Sequence, residues 1–418
     1  MRRWWFVSIA GVLLAALLSL VPRGGRAGDE EKFCDGHRCP KPEKTLYVWA
    51  GDQARVAPDF LTVIDFDEDS DHYGKVIKTV PLPPPGNIGN EPHHCHLSAD
   101  KNILGCGGLL SLLSGQPGIF FFDVSKPRSP KFLRATSAPQ SSITDDFLPL
   151  RTGGFLVTQM GSASGGAPGR VAEFDYLQNL VHEWPDSPPL DGFNPHGIDA
   201  RPELNLLVTS DFILPSSTLN IVPGNPVLRG SIRVWDLANR TILRTITIPG
   251  ALGTMDVKLI PGDRRGRGYT AGMFNGLVYL IDPGKGTYKQ AFDVGSDMVQ
   301  ILALPKSGDR LIAGLFQAGQ VVMLDTTNRA KLTQVSLVEL GTGAGPHVIH
   351  LTDDEKRLVV TDYFLNEDGF GKVHLEGDHK VHVIKVSHDA ITLDSRFDLD
   401  FNTAFKTGPA RPHGAAMK

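Results

Sequence analysis

Seven copies of one short strand-like run divide this chain, and they constrain its fold more than any other feature. The copies are FLTVIDFD (60–67), GIFFFDV (118–124), GRVAEFD (169–175), GSIRVWD (230–236), GLVYLID (276–282), GQVVMLD (319–325) and KVHVIKV (380–386), roughly 40 to 65 residues apart. They are rich in β-branched and aromatic residues, most open with Gly, and most end on Asp. That is the profile of a buried strand running into a turn. Repetition at this period marks stacked units, each able to bury its apolar face only against its neighbours.

A hairpin pattern precedes these runs. It is clearest at 92–106 (PHHCHLSADKNILGC), 195–210 and 346–361, and weaker at 146–159, 255–271 and 300–314. Hairpin, third strand and a variable fourth strand make one propeller blade. The first copy has a second-type strand, TLYVWAGD (45–52), but no first strand before it; RPHGAAMK (411–418) begins like a first strand and stops. The expectation is an all-β, seven-bladed β-propeller over residues 45–418, closed by the C-terminal strand completing the first blade. Such closure removes free sheet edges. Val234-Trp235-Asp236 resembles the WD40 dipeptide, but the Gly-His partner motif of that family is absent.

Residues 1–27 read as an export signal, with Arg2 and Arg3 before the apolar run from Phe6 to Val21 and small residues Gly25 and Ala27 after it. An uncleaved membrane anchor is the alternative. Residues 28–44 form an N-terminal extension, and the mature chain is expected to be periplasmic or secreted, with no membrane association once the signal is removed. The 42 basic and 46 acidic residues nearly balance, so nothing recruits nucleic acid or an anionic surface. The four cysteines fall into local pairs, Cys34/Cys39 and Cys95/Cys106, and export makes a disulfide the first reading of each. A hairpin turning at Asp100-Lys101 sets Cys95 opposite Cys106, with Cα atoms roughly 4.4–6.8 Å apart. The competing reading makes Cys95, between His94 and His96, a thiolate ligand.

The innermost strand of a blade lines the channel. Aligning the seven first strands gives one channel-mouth residue per blade: His93, Asp146, His196, Met255, Gln300, His347 and His413. Four of these are histidines preceded by Pro, in a chain with 14 histidines among 418 residues. A single Pro-His pair is better read as bonding channel water or capping a strand; four in one column read as a metal site. Imidazoles converging in a channel suit copper, iron, zinc or nickel. His94 is the substitute ligand beside His93. His96 and His350 are expected one layer along, as proton-transfer groups, while Asp199 and Asp146 are placed to hold second ring nitrogens. The Ser, His and Asp residues lack a nucleophile-elbow pattern, and SASGGAPG (162–169) lacks the context of a phosphate loop.

With the strands laid out, the chain resembles the selenium-binding protein family, which includes the copper-dependent methanethiol oxidases. The resemblance rests on APDFLTVIDFD (57–67), EPHHC with its double histidine, GIFFFDVSKPRSPKFLR (118–134), GSIRVWDL (230–237), GPHVIHLTDDEKRLVVTD (345–362) and GPARPHG (408–414). It implies a seven-bladed propeller with histidine-ligated copper, converting methanethiol, oxygen and water to formaldehyde, hydrogen sulfide and hydrogen peroxide. His93, His94 and His413 match the family's metal-site histidines. The family carries a further histidine around Thr144–Asp146, where this chain has none, and His196 and His347 are additions. The resulting expectation is a copper-dependent oxidase of a small thiol, with His93, His94, His196, His347 and His413 as ligands. His94, His96, His350 and Asp199 are the catalytic groups, and a small thiol and oxygen the partners. Iron and zinc are the alternative metals; a non-catalytic copper or selenium/thiol carrier and a four-histidine iron oxygenase are the alternative functions.

Overall fold

The computed structural model describes residues 40–190, 192–218, 226–295, 297–362, 365–366 and 374–418. The signal segment 1–27, most of the 28–44 extension and the Cys34/Cys39 pair therefore lie outside the described residues. Within them, regular structure is β-strand with short 3-10 turns, and seven antiparallel sheets of four or five strands follow one another along the chain. This is the expected seven-bladed propeller.

Each blade has four strands counted outward from the axis, the outermost place in blade 7 being shared by Ile391–Leu393 and Leu399–Asp400. Blade 2 runs Pro92–Leu97, Ile103–Gly108, Ile119–Asp123, Lys131–Thr136, and blade 3 runs Ser141–Pro149, Phe155–Ser162, Arg170–Phe174, Leu180–Trp184. The innermost strands of blades 4 to 7 are Pro195–Arg201, Thr254–Leu259, Val299–Ala303 and Pro346–Leu351. Blade 1 takes its innermost strand from the far end of the chain: Ala410–Met417 pairs antiparallel with Thr45–Asp52, Leu46 facing Met417 and Gly51 facing Arg411. The second strands are buried along almost their whole length, as in TLYVWAGD, whereas fourth strands such as Val76–Pro81 are partly or fully exposed. Apolar side chains meet between blades rather than at one centre: Trp49 of blade 1 packs with Leu104, Phe120 and Phe122 of blade 2.

All seven innermost strands share one local departure from regular pairing. In blade 2 the register moves from Pro92↔Gly108 to Cys95↔Cys106, and in blade 3 from Thr144↔Gln159 to Phe147↔Val157. The same single-residue slip occurs at the matching place in the other five blades. Each is a β-bulge, an extra residue on the inner strand that re-aims side chains. The bulges contain His93-His94, Asp145-Asp146, His196-Gly197, Met255-Asp256, Gln300-Ile301, His347 and His413-Gly414.

A bulge frees backbone groups that burial obliges to find partners. Hydroxyls on second strands supply several. Thr158 accepts from the Asp146 amide at 2.9 Å and donates across to the His196 carbonyl of blade 4. Ser210 accepts from Gly197 N at 3.0 Å and donates to the Met255 carbonyl of blade 5 at 2.7 Å. Thr361 donates to the His413 carbonyl, joining blade 7 to blade 1. Inner strands also approach closely: a Cβ on Gly414 would lie 2.3 Å from the His93 carbonyl oxygen, so only glycine follows His413 there.

Replacing Thr158 with Val keeps the shape but strands the Asp146 amide and the His196 carbonyl. We expect a loss of about 1–3 kcal/mol, the usual cost of a buried unsatisfied group, read as a lower denaturation midpoint. Thr158→Ser should retain most of it. An unchanged midpoint in the Val variant would mean that the hydroxyl does not join these blades.

Candidate metal centre

The bulges bring four imidazoles together on the axis. His93, His94, His347 and His413 are all buried, and one ring nitrogen from each lies within 4.8 Å of the others. They come from three adjacent blades, 7, 1 and 2. His93 and His94 stack at 4.3 Å with ring planes 11° apart, and His413 sits 4.4 Å from His93 and 4.9 Å from His347, measured between centroids. His196 does not join this set; it forms a second group with His93 and Asp145. Of the five expected ligands, four thus lie in one group, His94 among them as the anticipated substitute, and His196 lies in the other.

Asp145 is the acid of the centre. One oxygen lies 3.0 Å from His93 Nε2, and the other is 3.3 Å from His94 Nδ1 and 3.1 Å from His196 Nδ1. The channel column thus contains Asp145, not Asp146: the bulge offsets the alignment by one residue in blade 3. A neutral His93 that donates from Nε2 to Asp145 keeps its lone pair on Nδ1. That Nδ1 is buried without a hydrogen-bond partner among the described residues. His347 Nδ1 is 2.7 Å from Gln300 Oε1, which accepts its proton and places the ring's lone pair on Nε2. His347 Nε2 lies only 3.0 Å from His94 Nε2, so the two lone-pair positions must share a proton or an ion. Orphaned and paired imidazole nitrogens at this spacing fit a transition metal, whose nitrogen ligands sit about 2.0–2.1 Å from the ion.

Burial and mutual repulsion keep most of these rings neutral. Burial, then His94, lowers His93 to about 4, and burial depresses His196, His347 and His413 as well. Burial also opposes charge on His94, but Asp145 outweighs it and the net shift is upward. Asp145 resists its own burial because His196, His94 and His93 hold it ionised, well below the usual carboxylate range. Imidazoles must be free of the ligating proton to bind metal, so a predominantly neutral cluster suits an ion.

The centre has two unlike sides. Toward the face where inner strands begin, it meets an apolar layer including Ile143, Met160, Phe212, Met255 and Met273; the His196 ring lies 4.9 Å from that of Phe212. Toward the other face, a cavity of about 540 Å³ opens, with His94, His96, Asp146, Asp199, Lys258 and His350 among its walls. Here His96 Nε2 is 2.9 Å from Asp146, and the His96 and His350 rings are 5.3 Å apart. His350 and His96 do lie one layer along the channel. Lys258, which carries no sequence signal, is 3.1 Å from Asp256 and 3.9 Å from Asp146. Asp199 holds no imidazole: its carboxylate accepts the amides of Ala200 and, across to blade 5, Leu259 at 2.7 and 2.7 Å. Burial pushes its carboxyl up to about 6. Asp146, expected on a channel ligand, holds His96 instead.

Cys95 and Cys106 face one another as the hairpin register requires, joined through sulfur with Cα atoms 4.2 Å apart, slightly under the anticipated range. Their sulfurs pack with Trp49, Leu104 and Phe120 in the layer between blades 1 and 2.

These features define a class: a seven-bladed propeller with a histidine–aspartate centre buried on its axis and approached from one face. The chain belongs to the 56kDa selenium binding protein (SBP56) family, whose model matches residues 36–307. It is 22% identical to a methanethiol oxidase of Rattus norvegicus over 85% of this chain and 89% of that protein. It is 26% identical to a methanethiol oxidase of Hyphomicrobium sp over 60% of each. Among solved structures, a hypothetical selenium-binding protein from Sulfolobus tokodaii superposes with a TM-score of 0.77 at 18% identity, covering 91% of this chain and 94% of that one. A putative 6-phosphogluconolactonase from Bacteroides fragilis shares the fold at a TM-score of 0.58 and 12% identity, over 90% of this chain and 98% of that one.

Rings that stay neutral when folded but take protons when unfolded make stability fall as pH falls. For His93 and His350 the window runs from the ordinary value of 6.5 down to about 4. His94 acts in the opposite sense but is outnumbered by the five lowered rings. Measured as the difference in denaturation midpoint from a His93→Ala/His413→Ala variant, which shares the raised carboxyls of Asp59 and Asp199, the metal-free protein should therefore lose stability from about pH 6.5 to pH 4. A flat profile would mean that the rings are already charged in the fold.

Proposed function

We propose that this chain is a copper-dependent oxidase of small thiols, acting outside the cytoplasm and resembling methanethiol oxidase in its chemistry. The observation that carries the reading is the group of four buried imidazoles, with an orphaned His93 Nδ1 and the two Nε2 atoms of His94 and His347 3.0 Å apart. His93, His94, His347 and His413 would hold the ion. A bound copper ion supplies thiol acidification and electron transfer to oxygen. The remaining roles fall to the protein. Asp145 fixes the ring of His93 and offsets part of the ion's charge. Gln300 fixes the tautomer of His347. The apolar layer excludes water from one side, and the cavity admits thiol and oxygen from the other, with His96 and His350 beside the path to exchange protons. For methanethiol the overall reaction would be methanethiol, oxygen and water to formaldehyde, hydrogen sulfide and hydrogen peroxide. The two relatives named methanethiol oxidase and the export reading of residues 1–27 support this assignment.

Metal analysis of protein from the exported fraction should find copper near one per chain. His93→Ala combined with His413→Ala should abolish both copper retention and peroxide release from methanethiol, with the β-sheet circular dichroism unchanged. Copper retained at one per chain in the double variant removes the assignment of the site. Copper without turnover of any thiol makes the protein a binding scaffold, and iron in place of copper makes it an oxygenase of another kind.

A further inference from the structure

From the walls of the axial cavity we infer that the substrate is a neutral thiol carrying an aliphatic chain, longer than methanethiol. This rests on the oxidase reading above and deepens it. At about 540 Å³ the cavity has the size of sites that enclose ligands of many heavy atoms, far more than methanethiol has. His94 is the member of the four-imidazole group that reaches its walls, so a sulfur approaching the centre comes in past His94 and the rest of the molecule remains in the cavity.

The cavity is chemically two-sided. Blades 5 to 7 supply Leu259, Ile301, Leu304, Val348 and Leu351, a mostly aliphatic surface interrupted by Lys258 and His350. Blades 2 to 4 supply His96, Asp146, Asp199, Arg201 and Glu203. The charged groups on and beside this polar wall already satisfy one another. Asp146 holds His96, Lys258 is taken by Asp256, Arg201 pairs with Glu203, and Asp199 receives two backbone amides. A charged ligand would have to break one of these pairs, whereas a neutral chain laid on the aliphatic side gains burial at no such cost. In the reaction, one primary alkanethiol, one oxygen molecule and one water would give one aldehyde, one hydrogen sulfide and one hydrogen peroxide. The carbon–sulfur bond breaks, the water oxygen becomes the aldehyde oxygen, and two electrons pass from the sulfur-bearing carbon to the oxygen molecule, which takes up two protons.

The probe for the wall alone is a series of straight-chain alcohols, ethanol to hexanol, titrated calorimetrically into the metal-free full chain. Each added methylene should tighten binding about fourfold. Leu304→Asp should weaken hexanol at least about tenfold, and the milder Leu351→Asn should weaken it in the same direction. In parallel, kcat/KM of the copper-loaded protein should rise from methanethiol to hexanethiol. Alcohol affinities that do not change with length overturn the inference; methanethiol oxidation persisting beside them would leave the oxidase reading standing. Affinities that rise with length while no thiol is oxidised would keep the aliphatic ligand class and overturn the oxidase reading. A kcat/KM that falls with chain length overturns the inference as a statement about substrate.

Discussion

The structure depends on one local arrangement, the bulge in each inner strand and, in several blades, the hydroxyl that reaches it from a neighbouring strand. A bulge bends the strand and turns adjacent side chains toward the axis, at the cost of disturbing backbone pairing in a dry interior. Thr158, Ser210 and Thr361 answer that cost by donating to bulge carbonyls of the next blade. The same bonds that join blades therefore also set the positions of His196, Met255 and His413. Acidic residues serve the same end from the other direction: Asp199 takes an amide from blade 5 and Asp256 one from blade 6 at 2.9 Å. Ring geometry and site geometry are one problem with one solution.

Asp145 gives the centre its electrostatic character. A buried carboxylate is tolerable only when compensated, and three imidazoles within 3.3 Å compensate it. Where the family resemblance implies a histidine, this chain places an acid. An ion among four neutral imidazoles would keep its full charge; beside Asp145 one unit is offset, which favours the higher charge state of a redox ion.

The blade count, the closure by residues 411–418 and the facing cysteines are legible because each depends on pattern that sequence carries directly. Buried second and third strands need β-branched and aromatic residues, and a hairpin's register follows from its turn. The Pro-His pairs likewise expose four of the five histidines at the axis, and the double histidine exposes the fifth. Asp145 is hard to tell from Asp146 because a bulge has no composition of its own: inner strands are polar and short, and nothing in DDFLP says which aspartate lies at the kink. His196 looks equivalent to the others by column, yet its place beside Asp145 is decided by how blades 3 and 4 lean together. Lys258 and Asp256, two apart on one strand, carry no signal because blade 5 has no histidine to draw attention to its inner strand.

His413 sits on the strand that closes the ring, and in chain order that strand follows every other strand of the propeller. Translation proceeds from the other end, so six blades and three of the four clustered imidazoles exist before the fourth can arrive. The centre is then completed by the event that finishes the fold, and any chain cut short of that strand lacks both the seal and the fourth imidazole. Under the metal assignment proposed above, the ability to hold an ion would depend on completion of the ring.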